Sequence, residues 1–137
     1  MAVVDTKQIR NLVLLGHGGC GKTSLAEAML FNGKSIDRLG KTTDKNTVMD
    51  FDPEEIRRKF SISAAVATCD WNGTKFNIID TPGYFDFVGE VEEAVSAAGA
   101  AIIVVNGKSG IEVGTELAYR YSNALKTPLI FDINQLD

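Results

Sequence analysis

The residues that most constrain this chain run from Asn11 to Leu30, NLVLLGHGGCGKTSLAEAML. The apolar run Leu12 to Leu15 breaks into glycines at 16, 18, 19 and 21, and Lys22-Thr23 opens a segment with Leu25, Ala28 and Met29 at helical spacing. That order predicts a buried strand, a glycine loop and a helix. Residues 16–23 fit Gly-x-x-x-x-Gly-Lys-[Ser/Thr], and both flanks are those a phosphate-binding loop requires.

The chemistry follows from the residue types. Glycines let successive backbone N–H groups turn inward toward phosphate oxygens. A helix starting near Lys22 adds its positive dipole end to the same anion. Lys22 supplies a mobile charge for the outer phosphates, and the Thr23 hydroxyl can ligate magnesium. Candidate nucleotide-binding residues in this stretch are therefore His17, Gly18, Gly19, Cys20, Gly21, Lys22, Thr23 and Ser24. An accidental glycine-rich turn is the competing reading, and the flanks argue against it. The loop specifies a nucleoside triphosphate without specifying the base.

Composition narrows the setting. The 137 residues are one domain's worth, and 45% apolar residues suffice for a core. A net charge of −4 argues against a broad basic nucleic-acid-binding face. Cys20 and Cys69 lie far apart with no metal-ligand spacing, and no signal peptide is evident, so a cytoplasmic protein with reduced thiols is expected. No apolar run approaches the roughly 18 residues of a membrane span.

Along the chain, Asp5 with Gln8 three residues on reads as the start of a short helical turn. Asn32 to about Lys59 is polar and aperiodic, a long loop, and its charges at Glu54, Glu55, Arg57, Arg58 and Lys59 read as a solvated face. Alternation from Phe60 to Trp71, the turn Asn72-Gly73 and a second run to Asp80 predict an antiparallel hairpin. A helix from about Val88 to Ala98, a strand Ala101 to Val105, a helix from about Val113 to Leu125 and a strand Leu129 to Ile133 follow. Glu90, Glu92 and Glu93 suit the dipole of the helix start. The predicted class is α/β: a mainly parallel sheet with one antiparallel edge hairpin and helices on both faces.

Two further motifs sit at strand ends, where ligands collect in such sheets. In Asp80-Thr81-Pro82-Gly83, the aspartate can hold magnesium through water, and the Gly83 N–H can approach a terminal phosphate. A plain turn is the competing reading. In Asn134-Gln135-Leu136-Asp137, the Asp137 carboxylate can accept both N1–H and the exocyclic amine of guanine, and Asn134 can tie this loop to the phosphate loop. Adenine offers neither donor at that edge, so a buried acceptor there discriminates strongly.

With these residues the chain resembles the GTPase domain of translational GTPases, and within them elongation factor G and its paralogues, from Ile9 to Asp137. The resemblance implies a P-loop NTPase fold and one GTP-binding domain over residues 1–137, truncated at its C-terminal end. It places Ser61 where the family has the threonine that binds magnesium, alongside Thr23 and Asp80. Phe85-Asp86-Phe87 is similar to the family's continuation of the second switch.

The departures are specific. Tyr84 stands where the family has the histidine that positions the attacking water; a phenol, with an ordinary pKa of about 10, orients water but carries no positive charge near neutral pH. Gly19 replaces an aspartate, and Gln135 replaces the lysine whose stem covers the guanine ring.

The implied activity is GTP binding and hydrolysis with Mg2+ on the ribosome, with Lys22, Gly83 and Tyr84 closest to the chemistry and a monomer expected in the cytoplasm. A GTP-dependent ribosome-binding module with little turnover is the alternative suggested by Tyr84 and Gln135. A P-loop ATPase or small-molecule kinase is the third reading, opposed by Asn134 and Asp137.

Overall fold

The computed structural model describes residues 4–44, 46–50, 52–58, 61–83 and 88–136. A five-stranded sheet forms from β1 (Ile9–Leu15), β2 (Ala65–Trp71), β3 (Thr74–Asp80), β4 (Ala100–Asn106) and β5 (Leu129–Asn134), in the spatial order β2-β3-β1-β4-β5. All neighbours are parallel except β2 and β3. Their hairpin turns at Asn72 and Gly73, both at positive φ (47° and 75°), the pair of conformations a tight two-residue hairpin requires.

Alternation along β1 sends neighbouring residues to opposite faces. Val13 and Leu15 join Ile103, Val95 and Ala118 in a core under α3 (Val88–Ala97) and α4 (Val113–Ala124). Leu14 joins Ala26, Leu30 and Ile78 in a second core under α1 (Lys22–Asn32). Helices thus cover both faces, as predicted, and β1 lies mid-sheet with its C-terminal end feeding the glycine loop. β5 forms one edge, where Ile130, Phe131 and Ile133 are exposed. No helix among the described residues is long and apolar enough to cross a membrane.

Two expectations are corrected. The strand expected from Phe60 begins instead at Ala65, because the amides of Ile62, Ser63 and Ala64 donate to carboxylates rather than to a sheet neighbour; Phe60 itself lies outside the described residues. The charged run expected as a solvated face is in part the short helix α2 (Pro53–Arg58). Arg57 and Glu54 do pair at the surface, 2.8 Å apart, but Glu55 is only 3% exposed. Lys59 lies outside the described residues.

Candidate functional site

The glycine loop is built to hold its helix end open. Gly21 caps α1 at φ 102°, with no side chain bonded to the first-turn amides. A Cβ there would be strained and would strike the Asn134 Nδ2. The loop folds around Lys22, which is 6% exposed and donates from Nζ to the carbonyls of His17 (2.9 Å) and Gly16 (3.1 Å). Uncapped amides and a buried cation thus converge on one spot, an arrangement suited to a polyanion.

From the end of β3 the turn 80–83 comes up beside the loop. The Thr81 hydroxyl donates to the Leu14 carbonyl at 2.7 Å, locking the turn to β1. Gly83 lies so near that a Cβ would sit 2.6 Å from Gly18 Cα, Gly18 N and Lys22 Nζ. Between them opens a cavity of about 220 Å³, lined by Gly18, Gly19, Gly21, Lys22, Thr23, Ser24, Thr42, Asp50, Ser61, Thr81, Gly83 and Gln135. Thr42 belongs to no motif in the sequence, and Asp50, which opens the segment resembling the family's switch region, carries no site role there; both line the cavity.

Beneath the cavity lies an all-oxygen cluster. Thr23 Oγ1 donates to Asp80 Oδ2 at 2.6 Å and lies 3.4 Å from Ser61 Oγ, which donates to Asp50 Oδ1 at 2.8 Å. Asp80 is 1% exposed and its Oδ1 is buried without a hydrogen-bond partner. Burial pushes its carboxyl up to about 6, opposed by the Thr23 hydroxyl and the Lys22 charge and reinforced by Asp50. No three His, Cys, Asp or Glu side chains among the described residues could hold a metal by themselves. Two hydroxyls and two carboxylates, one of them with an orphaned oxygen, do fit Mg2+, which takes hard oxygen ligands and draws the remainder from phosphate and water.

The other predicted residues are distributed around this centre. His17 faces away from it: its Nε2 lies 3.6 Å from Glu112 Oε1, and its Nδ1 accepts from the Gly114 N–H at 3.4 Å, at the start of α4. The Cys20 thiol is 1% exposed and packs toward Gly16, and burial pushes its pKa up, against the pull of Lys22. Asn134 ties β5 to the loop through Nδ2, which donates to the Cys20 carbonyl at 3.0 Å. Gln135 does not project free: its Nε2 donates to the Gly19 carbonyl (2.9 Å) and its Oε1 accepts from Asn106 Nδ2 (2.6 Å). Tyr84, Phe85, Asp86, Phe87 and Asp137 lie outside the described residues. Glu90, read only as a helix-start charge, accepts from the Ala64 N–H at 2.9 Å.

A first strand in mid-sheet, a glycine loop wrapped around a buried lysine and a Thr–Asp pair beneath it define a P-loop nucleotide-binding domain. Residues 7–137 match the family described as the Elongation factor Tu GTP binding domain, and the chain belongs to that family. It is 40% identical over 129 residues to an elongation factor G-like protein of Mycobacterium tuberculosis, covering 94% of this chain and 18% of that one. It is 34% identical over 134 residues to elongation factor G of Mycoplasma genitalium, covering 98% and 20%. A crystal structure of a Thermus thermophilus protein superposes with a TM-score of 0.92 at 36% identity, over 95% of this chain and 20% of that chain. A bacterial selenocysteine-specific elongation factor superposes with a TM-score of 0.72 at 26% identity, over 90% and 19%. The chain thus spans about a fifth of the length of these relatives.

Proposed function

We propose that this chain binds GTP with Mg2+ and hydrolyses it, as the nucleotide-binding domain of an elongation-factor-G-like protein that acts on the ribosome. The observation that carries the reading is the convergence on one cavity of Lys22, Thr23, Ser61 and Gly83, above an Asp80 whose second oxygen is unpaired. Loop amides and Lys22 hold the β- and γ-phosphates. Mg2+, when bound, neutralises charge on the phosphate oxygens; Thr23 and Ser61 would hold it through their hydroxyls, and Asp80 would support it. The Gly83 N–H reads the γ-phosphate at the closest approach of the two loops, and Tyr84 orients the attacking water. Loss of the γ-phosphate releases Gly83 and Ser61, so the surrounding segments relax. Asp137 selects guanine, and Asn134 with Gln135 presses its loop against the phosphate loop.

The test is release of inorganic phosphate from GTP, with ATP as control, with and without purified ribosomes, alongside Tyr84→His. GTP-specific turnover stimulated by ribosomes supports the proposal. Turnover of ATP at equal efficiency would overturn it. Tight GTP binding without stimulation, with turnover recovered in Tyr84→His, would make the protein a GTP-gated binder whose chemistry has been turned down.

A further inference from the structure

Ser61 is followed by three consecutive amides that never enter the sheet. Ile62 and Ser63 donate to a single oxygen, Glu55 Oε1, at 2.8 and 3.1 Å, and Ala64 donates to Glu90 Oε2 at 2.9 Å. The two acceptors arrive from different places. Glu55 belongs to α2, upstream of Ser61, and its other oxygen takes the Asp52 N–H at 3.3 Å, fixing the carboxylate plane. Glu90 belongs to α3, the helix that follows the 80–83 turn.

Burial makes this costly to undo. Glu55 is 3% exposed, so breaking its bonds strands a carboxylate and the amides it serves. Hydrogen bonds to an ionised acceptor are also roughly twice as strong as neutral ones. Ser61 has a short side chain, so where its hydroxyl lies, against Thr23 and Asp50, is set chiefly by its backbone.

We propose that Glu55 and Glu90 are positioning residues for the cation site: they clamp residues 62–64 so that the Ser61 hydroxyl faces Thr23 and Asp50. Because Glu90 rides on α3, a displacement of that helix pulls on Ala64 and is passed to Ser61, three residues away. The Ser61 segment is thereby joined to α3 by a protein contact that needs no nucleotide. This deepens the proposed function and rests on Ser61 being a magnesium ligand.

The test combines two readouts on Glu55→Ala, Glu55→Gln, Glu90→Ala, Glu90→Gln and Ser61→Ala. One is amide hydrogen exchange at residues 62–64 without nucleotide; the other is the Mg2+ concentration for half-maximal retention of a fluorescent GTP analogue. Glu55→Ala should speed exchange at Ile62 and Ser63, and Glu90→Ala at Ala64, each by about tenfold. Both should raise the Mg2+ midpoint several-fold. The glutamine variants keep an acceptor oxygen at the same reach and should recover at least half of each effect. They also carry the test if Glu55→Ala fails to fold. Unchanged exchange in the alanine variants overturns the clamp. So does an unmoved midpoint in those variants when Ser61→Ala moves it. If Ser61→Ala leaves the midpoint unmoved, the ligand reading of Ser61 falls instead, and accelerated exchange then counts for the clamp and unaltered exchange against it.

Discussion

The glycine loop and the segment from Thr47 to Ala64 face the same cavity but are held by opposite means. The loop is held mainly by contacts within itself: the Lys22 side chain donates to carbonyls five and six residues before it, Gly21 bends the chain where a side chain could not follow, and Asn134 and Gln135 brace it from the end of β5. The later segment is held by carboxylates from helices. Glu27 in α1 accepts from Val48 and Met49 at 2.5 and 3.2 Å, Glu55 serves Ile62 and Ser63, and Glu90 serves Ala64. A wall fixed by local geometry is preformed, whereas a wall fixed by a few charge-assisted bonds can be let go. That division suits a site in which one side grips the nucleotide and the other reports on it.

The sharpest way to break the contrast is at the preformed wall. Lys22→Ala should weaken GTP binding by about 100-fold, on the order of 3 kcal/mol for a lost charged contact, in a fluorescent-nucleotide titration. Binding within threefold of the parent would show that the loop amides grip alone.

Asp80 stands at the seam between the two walls, and its effect runs through pH. Its folded pKa of about 6 lies above the unfolded 3.8, so the folded state holds the proton more tightly. Stability without Mg2+ should therefore fall as pH rises from about 4 to about 6 and stay lowered above that. Asp80→Asn should flatten this slope and add up to roughly 3 kcal/mol at pH 7.5 in chemical denaturation, while removing the stabilisation that Mg2+ gives with GTP. A variant less stable than the parent at every pH would show that the carboxylate is paired in a way its orphaned oxygen does not suggest.

On the releasable wall, Glu27→Ala should cost about 2 kcal/mol, because two amides lose their acceptor. Hydrogen exchange should quicken at Val48 and Met49 and stay slow through residues 16–23. Equal quickening in both regions would erase the distinction.

The smallest effect is expected where the base loop meets the loop backbone. Gln135→Ala removes the bond to the Gly19 carbonyl and should speed GDP release by about fivefold, roughly 1 kcal/mol, in stopped-flow fluorescence. An unchanged rate would leave Asn134 as the effective tie.

The two walls also differ in how far they could be read from residue order. Strand, loop and helix at 11–30 announce themselves because period, glycine spacing and the lysine all lie within a few residues. Ser61 was placed only by family likeness, and the Asp80 turn only by its neighbours. Glu27, Glu55 and Glu90 carried no signal of their partners: a glutamate on a polar stretch looks the same whether it faces water or backbone amides 21 or 26 residues away. The late start of β2 has the same origin, since alternation from Phe60 ignores acceptors that outcompete a sheet neighbour. Gln135 is read in the sequence as a residue over the base, whereas it bonds the Gly19 carbonyl, and the partners of His17 and Gln135, Glu112, Gly114, Asn106 and Gly19, depend on which strands become neighbours.

The position of β1 has a consequence for the order of assembly. Of the five strands, the earliest in chain order is the middle of the finished sheet, and both its neighbours, β3 and β4, are made later, at residues 74–80 and 100–106. Until β4 has been synthesised, Val13, Leu14 and Leu15 lack their full set of lateral partners. Such non-local pairing is slow to form and prone to sticking to other chains. The glycine loop is thus translated before both strands that flank β1, and a chaperone that shields residues 11–15 would act in that interval.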